Sequence, residues 1–127
     1  VAVGAQSTSL GGSDQFIPNE ITAANGTIVS FRFSGIPGNH SVTQSTFATP
    51  CQPLAGGLDS GFISGKETKL GVFPTWNYTV TNDQTPIWLF CNQLVPSSHC
   101  HEGMVAVINP QVARDENTFE AFQGKAE

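Results

Sequence analysis

Pro86-Ile87-Trp88-Leu89-Phe90-Cys91 and Met104-Val105-Ala106-Val107-Ile108 are two near-continuous apolar runs. The polar stretch Asn92-Gln93-Leu94-Val95-Pro96-Ser97-Ser98-His99-Cys100-His101-Glu102-Gly103 joins them. Both runs are too short for a buried helix and are rich in β-branched and aromatic residues. They read as central strands of a sheet covered on both faces. The loop between them gathers a thiol, imidazole groups and a thioether at one end of a rigid sheet.

Period-2 alternation recurs outward from this segment. In Thr27-Ile28-Val29-Ser30-Phe31-Arg32-Phe33 it sets Val29, Phe31 and Phe33 on one face. In Thr75-Trp76-Asn77-Tyr78-Thr79-Val80 it sets Trp76, Tyr78 and Val80 together. Weaker strand patterns occupy residues 1–5, 16–22, 40–45 and 67–73. Asn25-Gly26, Pro37-Gly38, Gly56-Gly57, Asn82-Asp83 and Asn109-Pro110 punctuate the runs as turns. About eight short strands separated in this way predict an all-β, Greek-key β-sandwich. The glycine-rich stretch from Thr46 to Gly65 is too long for a hairpin and reads as a covering or functional loop with a short helical turn. Residues 110–125 predict one short C-terminal helix, with Phe119 and Phe122 three apart on one face. Neither an internal repeat nor a composition break divides the chain, so residues 1–127 are expected to form a single domain.

The bulk composition agrees with a β-fold. Charged residues are only 12% of the chain, low for a helical protein with exposed Lys- and Glu-rich faces. The net charge is −5 with five basic residues, which argues against binding a phosphate backbone and predicts no nucleic-acid partner. No apolar run reaches the length of a membrane span. Val1-Ala2-Val3-Gly4-Ala5 has neither an initiator Met nor a signal-peptide pattern, so the chain reads as a mature secreted form, at the cell surface or cell wall. Three cysteines are an odd count, and in a secreted chain that implies one disulfide plus one thiol kept for another use. Sequons at Asn25, Asn39 and Asn77 fit the same compartment.

Cys91, Met104 and one of the loop histidines are candidate ligands. His40, after Pro37-Gly38-Asn39 at the start of another strand, is a fourth. Singly, each has a bland alternative: Met104 as core filler, the histidines as polar surface groups, Cys91 as an inert buried thiol. Joint placement separates the readings. A thiolate, two imidazoles and a weak thioether form the donor set that suits copper in both of its oxidation states. Zinc would more usually take four Cys/His ligands and leave the methionine unused.

Asn39-His40-Ser41-Val42 with Cys51, then Phe90-Cys91, then His99-Cys100-x-x-Gly103-Met104 resembles the cupredoxins, above all plant phytocyanins and related fungal extracellular cupredoxin-like proteins. Thr43-Gln44-Ser45-Thr46-Phe47, Gly56 to Phe62, and Thr118-Phe119-x-Ala121-Phe122 belong to the same resemblance, which covers nearly the whole chain. It implies one copper ion bound by His40, Cys91 and His99, with Met104 as the axial ligand. It also implies a disulfide between Cys51 and Cys100, which accounts for the odd cysteine. Two features depart from the family pattern: the seven residues between Cys91 and His99 make a longer loop, and His101 is a potential competing ligand. If residues 99–101 are extended, both histidines point the same way. His99 is the expected ligand, because its longer span to Met104 lets the chain turn back at Gly103, and His101 is expected exposed at the rim. Asn39 or Ser41 is expected to hydrogen-bond near the Cys91 sulfur. Asn39 is expected to carry no glycan, which would crowd His40, whereas Asn25 and Asn77 are expected to carry one.

These readings predict a secreted, monomeric electron-transfer protein, not an enzyme, that exchanges electrons with a protein partner. Alternatives are extracellular copper sequestration or delivery, with a copper-exchange partner, and a structural cell-surface module that uses copper little.

Overall fold

A computed structural model describes residues 1–6, 14–34, 39–64, 72–94, 97–111 and 117–127. The Pro37-Gly38 turn, most of the strand expected over 67–73, and Val95-Pro96 lie outside the described residues. The strands are β1 (Ala2–Gln6), β2 (Asp14–Ile17), β3 (Glu20–Ile21), β4 (Ile28–Phe33), β5 (Asn39–His40), β6 (Thr43–Ser45), β7 (Ile63–Ser64), β8 (Thr75–Thr79), β9 (Ile87–Phe90) and β10 (Val105–Ile108). A 3₁₀ turn at Cys100–Glu102 and one helix, α1 (Phe119–Ala126), complete the elements.

Two four-stranded sheets form a sandwich. One has the order β2-β1-β4-β8 and the other β3-β10-β9-β6; β5 and β7 make a separate two-stranded ribbon. The Greek-key sandwich with one short C-terminal helix is the architecture the alternation predicts. Residues 16–22, read as one strand, are two. Ile17 pairs with Ala2 in the first sheet and Ile21 with Ile108 in the second. Pro18 lies between them, lacks an N–H for a ladder, and marks the crossing. Residues 40–45 divide likewise, so that His40 pairs with Ile63 in the ribbon and Thr43 with Phe90 in the second sheet.

The first sheet faces the core through Val29, Phe31 and Phe33, whose intervening neighbours on β4 are exposed. The central strands of the second sheet, β9 and β10, are buried on both faces, as their unbroken apolar sequences demand. Ile87, Leu89 and Cys91, with Met104, Ala106 and Ile108, face the first sheet. Trp88, Phe90, Val105 and Val107 turn the other way and pack beneath Phe119, Phe122 and Ala126 of α1. Trp88 and Phe122 rings lie 4.7 Å apart, and Phe47 closes the group at 5.2 Å from Trp88. Thr118 caps α1, its hydroxyl accepting from Ala121 N–H at 3.1 Å. The helix starts later than the pattern suggested: residues 110–111 and 117–118 are not helical, and 112–116 lie outside the described residues.

The Thr46–Gly65 stretch is a covering loop without a helix among its described residues. It returns along β6: Gln44 N–H donates to Leu58 C=O, Ser60 N–H donates to Val42 C=O, and Thr43 bridges Asp59. Asn109, at φ 58°, ends β10 in the left-handed region that Asn tolerates. Its amide accepts from Ala23 N–H and donates to Ala23 C=O, fixing that turn at 2.7 and 2.8 Å.

Candidate metal centre

Strand alternation brings the sulfur residues together. Cys91 follows β9 and Met104 precedes β10, on the core-facing side of the second sheet, and Cys91 N–H donates to Met104 C=O at 3.2 Å. Cys91 and Met104 have no exposed surface, and His40 and His99 are 1% and 5% exposed. His40 enters from the β5–β7 ribbon, where its inward side chain alternates with an exposed Asn39.

His99 immediately precedes the 3₁₀ turn, with helical backbone angles of φ −63° and ψ −36°. Its carbonyl accepts from Met104 N–H at 3.0 Å. Gly103, at φ 95°, ends the turn and sends the chain back toward β10. A residue with a Cβ is disfavoured there, so the glycine delivers Met104 beside Cys91. Residues 99–101 are therefore not extended, and the condition under which both histidines would point the same way is not met. The turn carries His101 away from His99 to the C-terminal end of α1, where its Nδ1–H donates to Ala126 C=O at 2.7 Å. His101 is exposed, as expected, and its ring is held against the end of α1.

Cys91 Sγ lies 3.6 Å from His40 Nδ1 and 3.7 Å from His99 Nδ1, and the two nitrogens are 3.2 Å apart. These three form the only His/Cys/Asp/Glu cluster of metal-binding dimensions among the described residues. The point equidistant from the three atoms is about 2.0 Å from each, a metal–imidazole distance and slightly short of the ~2.3 Å of a metal–thiolate bond. Two imidazole lone pairs converging at this separation repel unless a cation or a shared proton lies between them. The donor set and its dimensions therefore fit one transition-metal ion.

The surroundings of the sulfur are equally specific. Ser41 N–H donates to Cys91 Sγ at 3.5 Å, and Ser41 Oγ accepts from Asn92 N–H at 2.9 Å. The sulfur's hydrogen-bond partner is thus the Ser41 main chain. The Asn39 side chain points to solvent, on the face opposite His40, which removes the steric ground for expecting no glycan there. Cys51 and Cys100 are disulfide-bonded, anchoring the residue after His99, and Cys91 lies outside any disulfide. Gln93 Nε2 donates to Asn39 C=O at 3.1 Å and ties the long loop to the His40 strand.

No family model matches the chain. It is 37% identical over 111 residues to "Probable GPI-anchored cupredoxin-1" of Arthroderma benhamiae, covering 87% of this chain and 52% of that protein. It is 33% identical over 105 residues to "Extracellular serine-rich protein" of the same organism, covering 82% of this chain and 38% of that protein. The chain thus spans about half or less of the curated relatives it matches. Among solved structures it resembles the oxidised form of plastocyanin from Dryopteris crassirhizoma, with a TM-score of 0.53 and 19% identity over 84% of this chain and 94% of that one. That likeness concerns the fold. Sequence likeness across most of the chain agrees with it, and the chain belongs to the cupredoxin family.

Proposed function

We propose that the chain is an extracellular copper-binding module that passes single electrons. His40 Nδ1, Cys91 Sγ and His99 Nδ1 would hold the ion, with Met104 as a weak fourth donor from the same buried cluster. The carrying observation is the buried triangle itself: one thiol and two imidazoles within 3.7 Å of one another. Copper, when bound by such donors, supplies exchange between Cu(II) and Cu(I). The chain's part is to hold the donors rigid between two sheets and to keep water away, so that little rearranges when an electron moves.

Burial also separates electron transfer from copper delivery. Release to another protein needs an approach for a competing ligand, and the four donor residues here are at most 5% exposed. An electron needs no such opening. The location is extracellular: the relatives are named as GPI-anchored and extracellular, and the Cys51–Cys100 disulfide belongs to an oxidising compartment. The partner would be a redox protein. Leu94 and Phe62, both more than half exposed, lie in the loop after Cys91 and beside the β7 partner of His40, and offer apolar contact near the site's segments.

Metal analysis, a visible spectrum and voltammetry of the purified protein test this reading together. One copper per chain, a strong thiolate-to-copper band and a reversible one-electron wave are expected. A colourless protein that yields Cu(I) to a competitor would replace it with delivery, and a native protein without copper would leave a structural module.

A further inference from the structure

The returning limb of the Thr46–Gly65 loop carries a carboxylate, Asp59, that connects the protein surface to Cys91. Asp59 is exposed, and its Oδ1 accepts from the Thr43 hydroxyl at 3.1 Å and from Gly61 N–H at 2.9 Å. Thr43 Oγ1 lies 2.9 Å from Ser41 Oγ, and both residues are 1% exposed. Ser41 Oγ accepts from Asn92 N–H at 2.9 Å, while Ser41 N–H donates to Cys91 Sγ at 3.5 Å.

Chemistry sets the direction of every bond in this chain. An ionised carboxylate only accepts, so the single hydroxyl proton of Thr43 goes to Asp59. Thr43 oxygen can then only accept from Ser41, which commits the Ser41 proton. Ser41 oxygen is left to accept from Asn92 N–H. The hydrogen bonds polarise one another in one sense, with the carboxylate at the end. Ser41 is thereby held at two points, oxygen on Asn92 and amide on Cys91, with no rotational choice left to either buried hydroxyl.

We infer that Asp59 is a positioning residue for the metal centre: through Thr43 and Ser41 it holds the Ser41 amide on the Cys91 sulfur and so sets the redox potential. The inference rests on the copper reading above. An N–H bond withdraws electron density from the sulfur, which then donates less to an oxidised metal, and the potential rises. Slackening the relay should lower it. Removing the Asp59 charge acts in the opposite direction, because a nearby negative charge favours the more highly charged oxidised ion. Thr43 is the variant that isolates the relay, since Thr43→Val keeps shape and net charge and deletes only the hydroxyl.

The test compares wild type, Thr43→Val, Thr43→Ser and Asp59→Asn. Amide hydrogen exchange of Ser41 is read by NMR in metal-free protein, and the potential and thiolate-to-copper band are read in copper-loaded protein. Thr43→Val should speed Ser41 exchange roughly tenfold, about one hydrogen bond's worth. It should also lower the potential and move the band to longer wavelength. Thr43→Ser should restore all three. Asp59→Asn, at an exposed position, keeps an accepting Oδ1 but loses the charge that strengthens the bond from Thr43, and should speed Ser41 exchange by less than Thr43→Val does. Wild-type exchange in both Thr43→Val and Asp59→Asn overturns the inference. So does an unchanged potential in Thr43→Val, or failure of Thr43→Ser to restore it. A wild-type protein that takes up no copper would instead overturn the copper reading, and the exchange measurements would still decide whether the relay holds Ser41.

Discussion

Cys91 meets three demands at once: it ends a fully buried strand, it accepts from a main-chain N–H, and it faces two imidazole nitrogens. Serine at this position keeps the size of the side chain and loses the soft, easily ionised sulfur. Cys91→Ser should fold and lose the thiolate-to-copper band, which a spectrum of metal-loaded protein checks. Met104 is linked to the centre through its main chain as well as by packing, so Met104→Leu preserves both. Copper should stay, with a higher potential from loss of a weak axial donor; loss of copper on metal analysis would exclude this kind of site. The two loop histidines differ in where the 3₁₀ turn sends them. His99→Ala should remove the coloured site, because His99 supplies one corner of the triangle. His101→Ala should keep the colour and weaken the end of α1, where its N–H meets Ala126 C=O. Colour lost with His101→Ala and kept with His99→Ala would reverse the assignment.

The loop from Cys91 to Met104 works as an element because each end is tied to something rigid. Its C-terminal half is fastened by the disulfide at Cys100, which closes a loop of about 50 residues and contributes on the order of 4 kcal/mol in the chain-entropy view. Gln123 Nε2 adds a bond to Gly103 C=O at 3.0 Å, so α1 braces the same turn. Gly103 is its most demanding residue. Alanine there must adopt φ near 95° and would place its Cβ 2.8 Å from Glu127 Oε1, the movable tip of a side chain. The contact can relax; the backbone angle cannot. Gly103→Ala should therefore cost about 1–2 kcal/mol in urea unfolding. It should also broaden the copper signal, since His99 and Met104 sit on either side of the turn.

At the scale of the whole molecule, the second sheet serves two purposes with its two faces. One contributes Cys91 and Met104 to the interior of the sandwich; the other is sealed by α1 through Trp88, Phe122 and Phe47. The helix thus excludes water from the sheet that carries half of the candidate donors. Phe122 is fully buried there, and Phe122→Ala should cost about 3–5 kcal/mol. Thermal unfolding measures that loss. Trp88 emission should move to longer wavelength as its ring meets water, while the centre, on the opposite face, should keep its band below the lowered melting point.

Much of this could be read from the chain alone. Alternation in Val29-Ser30-Phe31-Arg32-Phe33 and the unbroken apolar runs before Cys91 and after Met104 specify strands with one and two buried faces. Period and burial are local properties, imposed by the geometry of a pleated chain on whichever side chains it carries. Family resemblance supplied the disulfide and the expectation that four distant residues meet. Other features depended on where separate segments pass one another. Pro18 parts one strand pattern between two sheets, and a 3₁₀ turn at Cys100–Glu102 sends His101 to the helix, a turn that no period in 99–101 announces. The relay from Asp59 to Cys91 joins residues up to 50 positions apart, through hydroxyls that locally look like ordinary polar surface groups. No short-range pattern encodes it: the returning loop lays Asp59 against β6, and β9 pairs with β6 from the other side, so only tertiary packing sets those atoms in line.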